Sequence, residues 1–190
     1  MANKIKYGLK NVHYAVATIA ADGSATFGTP VAFPGAVALT LDAEGDRTPF
    51  YADNIEYYVG TANNGYSGSL EVARVIDDFK KDVLGYAEDN KHVIYENKNA
   101  ETVHFALIFQ FEGDAHATRH VLYNCTASRP CAGSTTKGES VEPQTETIDL
   151  SAASIYVAAL DADIVKASTT EDTATADYNG FLTAVYIPTA

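Results

Sequence analysis

The sequence predicts a mainly β domain carrying one flanking helix and one long irregular loop. Three observations predict it. Apolar residues alternate with polar or small ones in several short stretches, the pattern of strands with one buried face. Residues that suit a pleated surface are frequent, with twelve Tyr and eight Phe among 190 residues. Only one segment spaces its apolar residues as a helix would. The length suits a single domain spanning residues 1–190, and 46% apolar against 20% charged residues places the chain among folded rather than disordered sequences.

In chain order, "NVHYAVATI" alternates Val12, Tyr14 and Val16 with His13, Ala15 and Ala17, and "GAVALTLD" alternates Val37, Leu39 and Leu41 with Ala36, Ala38 and Thr40. Both read as half-buried strands. Over residues 42–65 the alternation fails and Gly, Asp, Asn and Tyr accumulate, so an irregular loop is expected, long enough to be functional or to make contacts outside its own domain. From Tyr66 alternation returns, with Tyr66, Gly68, Leu70 and Val72 on one face. "VIDDFKKDVLG" then repeats Ile76, Phe79, Val83 and Leu84 at helical spacing before Gly85, a common stop signal. Its Asp and Lys residues read as a solvated face.

"HFALIFQFEG" is the clearest strand, and a turn near Gly113 and Asp114 should pair it with "TRHVLYNC" as a hairpin. Irregular chain follows Pro130. In "TETIDLSAASIYVAAL" the apolar positions shift from even (Ile148, Leu150) to odd (Ile155, Val157), which predicts a break near Ala153. "FLTAVYIP" reads as a last strand.

No apolar run approaches the ~20 residues of a membrane span, and the N-terminal segment lacks the pattern of a secretory signal. The chain is therefore expected to fold in a cytosol, without disulfides or use of the Asn124-Cys125-Thr126 sequon. The net charge of −12 argues against a conventional grip on nucleic acid. Residues 138–190 hold nine acidic residues against the single cation Lys166, leaving −8 of that charge late in the chain.

Catalytic and metal chemistry find little support. His116, His120, Cys125 and Cys131 lie close in sequence, but a strand would point His120 and Cys125 to opposite faces, and no CxxC knuckle is present. Cys125 near Arg129 lacks the glycine-rich cradle of a reactive thiol site. "AGSTTKGES" lacks the lysine-hydroxyl order of a phosphate loop. His13, His92 and His104 have no partner spaced for a triad. No enzyme, metal or cofactor is expected.

The ordered blocks "YGLKNVHYA", "YADN", "GYSGSLEVA", "DDFKKDVLGY", "FALIFQFEGD", "RHVLYNCTASRP" and "TETIDLSAA" cover most of residues 4–153. Together they resemble the major tail protein family of long-tailed bacteriophages infecting Gram-positive bacteria. The resemblance implies a tail tube subunit in the virion, assembled in the host cytoplasm. Its fold would be a β-sandwich flanked by a helix, six copies closing into a ring whose inner sheets form one continuous β-barrel. Such rings stack into a hollow tube around a tape measure protein, between tail terminator and distal tail proteins. Double-stranded DNA would pass through without specific binding, and nothing inserts in a membrane. By that resemblance the segment 42–65 reaches toward the next ring, and Tyr51, Asp53, Asn54, Tyr57, Tyr58 and Tyr66 are candidate inter-subunit contacts. Glu71 is a candidate lumen carboxylate, Cys125 a packing residue and Pro130 a strand terminator. The resemblance does not account for Cys131. The competing reading is a monomeric β-sandwich binding module for a surface carbohydrate or protein, with the Tyr-rich loop as its ligand platform.

Overall fold

A computed structural model describes residues 3–138, 140 and 142–189. Glu139, counted above among the late acidic residues and part of "AGSTTKGES", lies outside them. The first alternating segment forms β1 (Lys6–Ile19), along which β2 (Ala25–Phe27) and β3 (Val31–Ala32) return. Next come β4 (Ala36–Glu44), β5 (Arg47–Ala52), β6 (Ile55–Thr61) and β7 (Gly65–Val72). Helix α1 (Asp77–Asp82) precedes a small hairpin of β8 (Ala87–Glu88) and β9 (Ile94–Tyr95). The expected long hairpin is β10 (Phe105–Gly113) with β11 (Thr118–Ala127). A break at Ser154, where the apolar phase changes, separates β12 (Glu146–Ala153) from β13 (Ile155–Val157). The chain ends with β14 (Ala162–Ile164), β15 (Lys166–Ser168) and helix α2 (Thr175–Gly180).

The main sheet is antiparallel, in the order β2-β1-β10-β11-β12-β7-β4, with β3 also on β1 and β15 also on β11. It folds over on itself as a sandwich. Leu70, Val72, Ile148 and Leu150 from β7 and β12 meet Val12, Tyr14, Leu107 and Leu122 from β1, β10 and β11 in one buried cluster. Helix α1 plugs one opening of this cluster. Phe79 lies 5.0–5.4 Å, centroid to centroid, from Phe33, Tyr14 and Phe105, and the Tyr14 hydroxyl donates to Asp82 at 2.8 Å. Asp77 and Asp78 in the first turn and Lys80 and Lys81 in the last complement the helix dipole. Gly85, at φ +72° with no room for a Cβ beside the Glu101 carbonyl, ends the turn as the sequence suggested.

The expectation of a half-buried strand fails for β1, which, like its neighbour β10, is covered on both faces. Ala15, Ala106, Ile108, Val121 and Tyr123 point away from the first cluster and pack under Ile155, Val157 and Phe181. The C-terminal segment thus lies across the second face of the sheet. "FLTAVYIP" is not a strand: its Phe181, Leu182 and Val185 are apolar because they cover the sheet, and Tyr123 donates to the Tyr186 carbonyl at 2.8 Å. Helix α2 was not foreseen, because it carries no apolar stripe of its own and none of its residues is buried. Val37, expected to point inward, is 53% exposed, since a register shift between Ala36 and Ala38 turns it out of phase.

The segment 42–65, expected to be irregular, is mostly strand. Ladder hydrogen bonds from Asn64 N to Glu44 O and from Ala62 N to Asp46 O carry the pairing of β4 with β7 directly into that of β5 with β6. The result is a two-stranded arm, about 25 Å long by strand rise, that leaves the sheet at Gly45 and Gly65. Gly65 sits at φ +99°, and a Cβ there would lie 1.9 Å from the Ala152 carbonyl oxygen, so the exit corner tolerates no side chain.

Candidate functional site

The arm closes in the two-residue turn Asp53-Asn54, both at positive φ (52° and 62°), the geometry that matches the twist of a tight hairpin. Phe50 stands opposite Tyr58, and Ala52 opposite Ile55, with a bulge between the two pairs. Cross-strand partners share a face, so Phe50, Tyr58 and Ile55 form one apolar face. Tyr51 and Glu56 pair on the other, where Glu56 binds Arg47. Among the described residues nothing covers either face. Phe50, Tyr51, Ile55, Tyr57 and Tyr58 are each at least 60% exposed, and together present roughly 700 Å². The face of Phe50, Ile55 and Tyr58 holds roughly half of that, the size of a functional apolar patch.

The expected contact residues therefore divide. Tyr51, Asp53, Asn54, Tyr57 and Tyr58 lie together on the arm. Tyr66 does not: it sits on β7 and lines a cleft at the arm's root.

This cleft, of about 510 Å³, opens where the sheet divides. β12 pairs with β11 at Asn124–Ala127 and then turns to β7, while β15 pairs with β11 at His120–Leu122. The gap exposes Leu39 and Leu41 on one wall and Phe109 and Phe111 on the other. His120 stacks on Phe109 at 5.1 Å, and burial pushes its pKa down to about 4, with Lys166 and Lys6 adding to the shift. Lys166 lies 4.5 Å over the Tyr66 ring and Lys6 5.4 Å over Phe111. The N-terminal strand entry is pinned at the rim by Asp114, which accepts from Lys4 N at 2.7 Å. Sequence reasoning missed the cleft, because its walls come from segments more than 60 residues apart and read individually as ordinary core.

Glu71 lies on the solvent face of β7, where it accepts a hydrogen bond from Thr145 at 2.6 Å. The register puts Glu71 opposite Thr147, Ser69 between Asp149 and Thr40, and Ser67 between Ser151 and Asp42, with Glu44 at the end of the row. The outer face of β12, β7 and β4 is thus a continuous surface of hydroxyls and four carboxylates, with no Lys or Arg among these residues.

The residues considered for catalysis or metal binding do not assemble. His120 and Cys125 in fact share a face, against expectation, because the irregular β10–β11 register between Leu122 and Cys125 inserts an extra residue. They remain separated along the strand, and among the described residues no group of His, Cys, Asp or Glu could hold a metal. Cys125 is fully buried and its thiol is pushed up to about 12 by burial, which makes it a packing residue. Cys131 is exposed, and Arg129 binds Glu96 at 2.7 Å. Among the described residues no helix is long and apolar enough to cross a membrane. No protein-family model matches the chain, and no curated protein matches it.

Proposed function

We propose that this chain is the tube subunit of a long-tailed phage tail, assembling as six-membered rings that stack into a hollow conduit for double-stranded DNA. The observation that carries the reading is the arm: an aromatic hairpin that stands off the sheet with both of its faces exposed. A monomer gains nothing by exposing such a surface, whereas an assembling subunit buries it against its neighbour. β4 ends the sheet at an edge, which suits closure of the sheet across copies. The hydroxyl and carboxylate face of β12, β7 and β4 then lines the bore, where Asp42, Glu44, Glu71 and Asp149 repel phosphate and let DNA slide. In this reading the subunit belongs to the virion tail, with the tape measure, terminator and distal tail proteins as its partners.

The test is electron microscopy of the purified chain. Hollow rings or tubes of uniform bore are expected; compact monomers at all concentrations would reject the reading. The cleft supports a second reading, a monomeric binding module, because an apolar recess with a cationic rim also suits a small ligand.

A further inference from the structure

The arm and the cleft are complementary in ways that one chain cannot use. The cleft is walled by aliphatic and aromatic side chains, and Lys4, Lys6 and Lys166 stand around it without a carboxylate in salt-bridge distance among the described residues. In a chain of net charge −12 such a group of unpaired cations is a local exception. Glu112, the acid that lines the cleft, is held by Lys10 at 2.5 Å, and Asp114 at the rim is engaged by the Lys4 and Ile5 backbone N–H groups. The arm has the opposite character. Its apolar face carries Phe50, Ile55 and Tyr58, and its charged residues are Asp46, Arg47, Asp53 and Glu56. Arg47 and Glu56 neutralise each other, which leaves Asp46 near the root and Asp53 at the tip.

The cleft has room for roughly two or three aromatic side chains, which matches the apolar face of the arm. The arm cannot serve its own cleft, because the ladder continuous with β4 and β7 directs it away from its root. We infer that the cleft between β4 and β10 is the receptor for the arm of a second copy of this chain, with Phe50 and Tyr58 in the recess and Asp46 and Asp53 against Lys6 and Lys166. This inference rests on the reading of the arm as an assembly element and specifies where it lands. Passed on from copy to copy rather than exchanged reciprocally, the contact propagates head to tail into rings or filaments. The face that carries Phe50, Ile55 and Tyr58 offers roughly 350 Å², about half of the ~800 Å² each partner contributes to a stable interface, so other contacts between the copies supply the rest.

Two surface variants test it, Phe50→Ser/Tyr58→Ser for the arm and Lys6→Glu/Lys166→Glu for the cleft, with folding checked by thermal melts. Light scattering in 0.15 M salt should show each variant losing the same association step as the other, with a loss of at least tenfold in affinity. Mixed together, the two variants should join in pairs that do not grow, since one mixture member supplies the only intact arm and the other the only intact cleft. Adding Asp46→Lys/Asp53→Lys to the cleft variant should restore its self-association. Tubes formed by the cleft variant as readily as by the wild type would overturn the arm-in-cleft contact and leave the tube reading standing. A wild-type chain that stays monomeric at every concentration would overturn both. Saturable uptake of dodecanoate by that monomer, lost in Lys6→Glu/Lys166→Glu, would assign the cleft to a small amphiphile.

Discussion

Single side chains divide between those that hold the fold and those that it leaves free. Phe79 is the keystone of the first cluster, touching Tyr14, Phe33 and Phe105. Phe79→Ala should cost about 3–5 kcal/mol, read as a lowered urea midpoint with little change in slope. His120 gives a pH signature. In the folded chain it takes a proton only near pH 4, whereas the unfolded chain takes one near 6.5, so between these values the unfolded state holds more protons. Stability should therefore fall as pH drops from about 6.5 toward 4. The loss is on the order of 1–2 kcal/mol once solvent at the cleft mouth is allowed for. His120→Phe should flatten that part of the profile; an unchanged slope would assign it to the carboxylates. Cys125 was legible as a packing residue from its place at a strand end. The cleft around His120 was not, because its character arises only when β4 is folded over β10.

At the scale of elements, legibility followed burial. Alternation appears in a sequence when one face of a strand is buried and the other is wet. The strands β7 and β12 and the break at Ser154 left that trace, whereas β10, covered on both faces, was legible from its run of Phe, Leu and Ile before the turn at Gly113. The arm left none, since both its faces are exposed and an unpartnered hairpin has no reason to alternate. Its only signal was Asp53-Asn54, a turn pair between two aromatic stretches. "FLTAVYIP" shows the converse, with apolar residues that cover a sheet mistaken for residues that extend it. Because β5 and β6 pair only with each other among the described residues and their aromatics are exposed, replacing residues 46–61 by a short turn should leave a folded chain. Its melting temperature should lie within a few degrees of the wild type, as judged by circular dichroism. Gly65→Val, by contrast, should disturb the exit corner and lower stability, since its Cβ would collide with the Ala152 carbonyl.

For the molecule as a whole, charge and shape point the same way. The acid-bearing face of β12, β7 and β4 carries no cation, while unpaired lysines gather at the cleft. A net charge of −12 per copy keeps isolated chains apart at low salt, so assembly should strengthen as added salt screens like charges. If the acidic face lines a bore, Glu71→Lys/Asp149→Lys should permit assembly and slow DNA release from the finished tail. Release kinetics at two salt concentrations would measure this, and an effect that vanishes at high salt is expected. The most direct measurement of the central claim compares the wild-type chain with the chain lacking residues 46–61, by electron microscopy and light scattering over the same concentration range. The account predicts stacked hollow rings for the first and a folded species that does not stack for the second; tubes formed equally by both, or by neither, would contradict it.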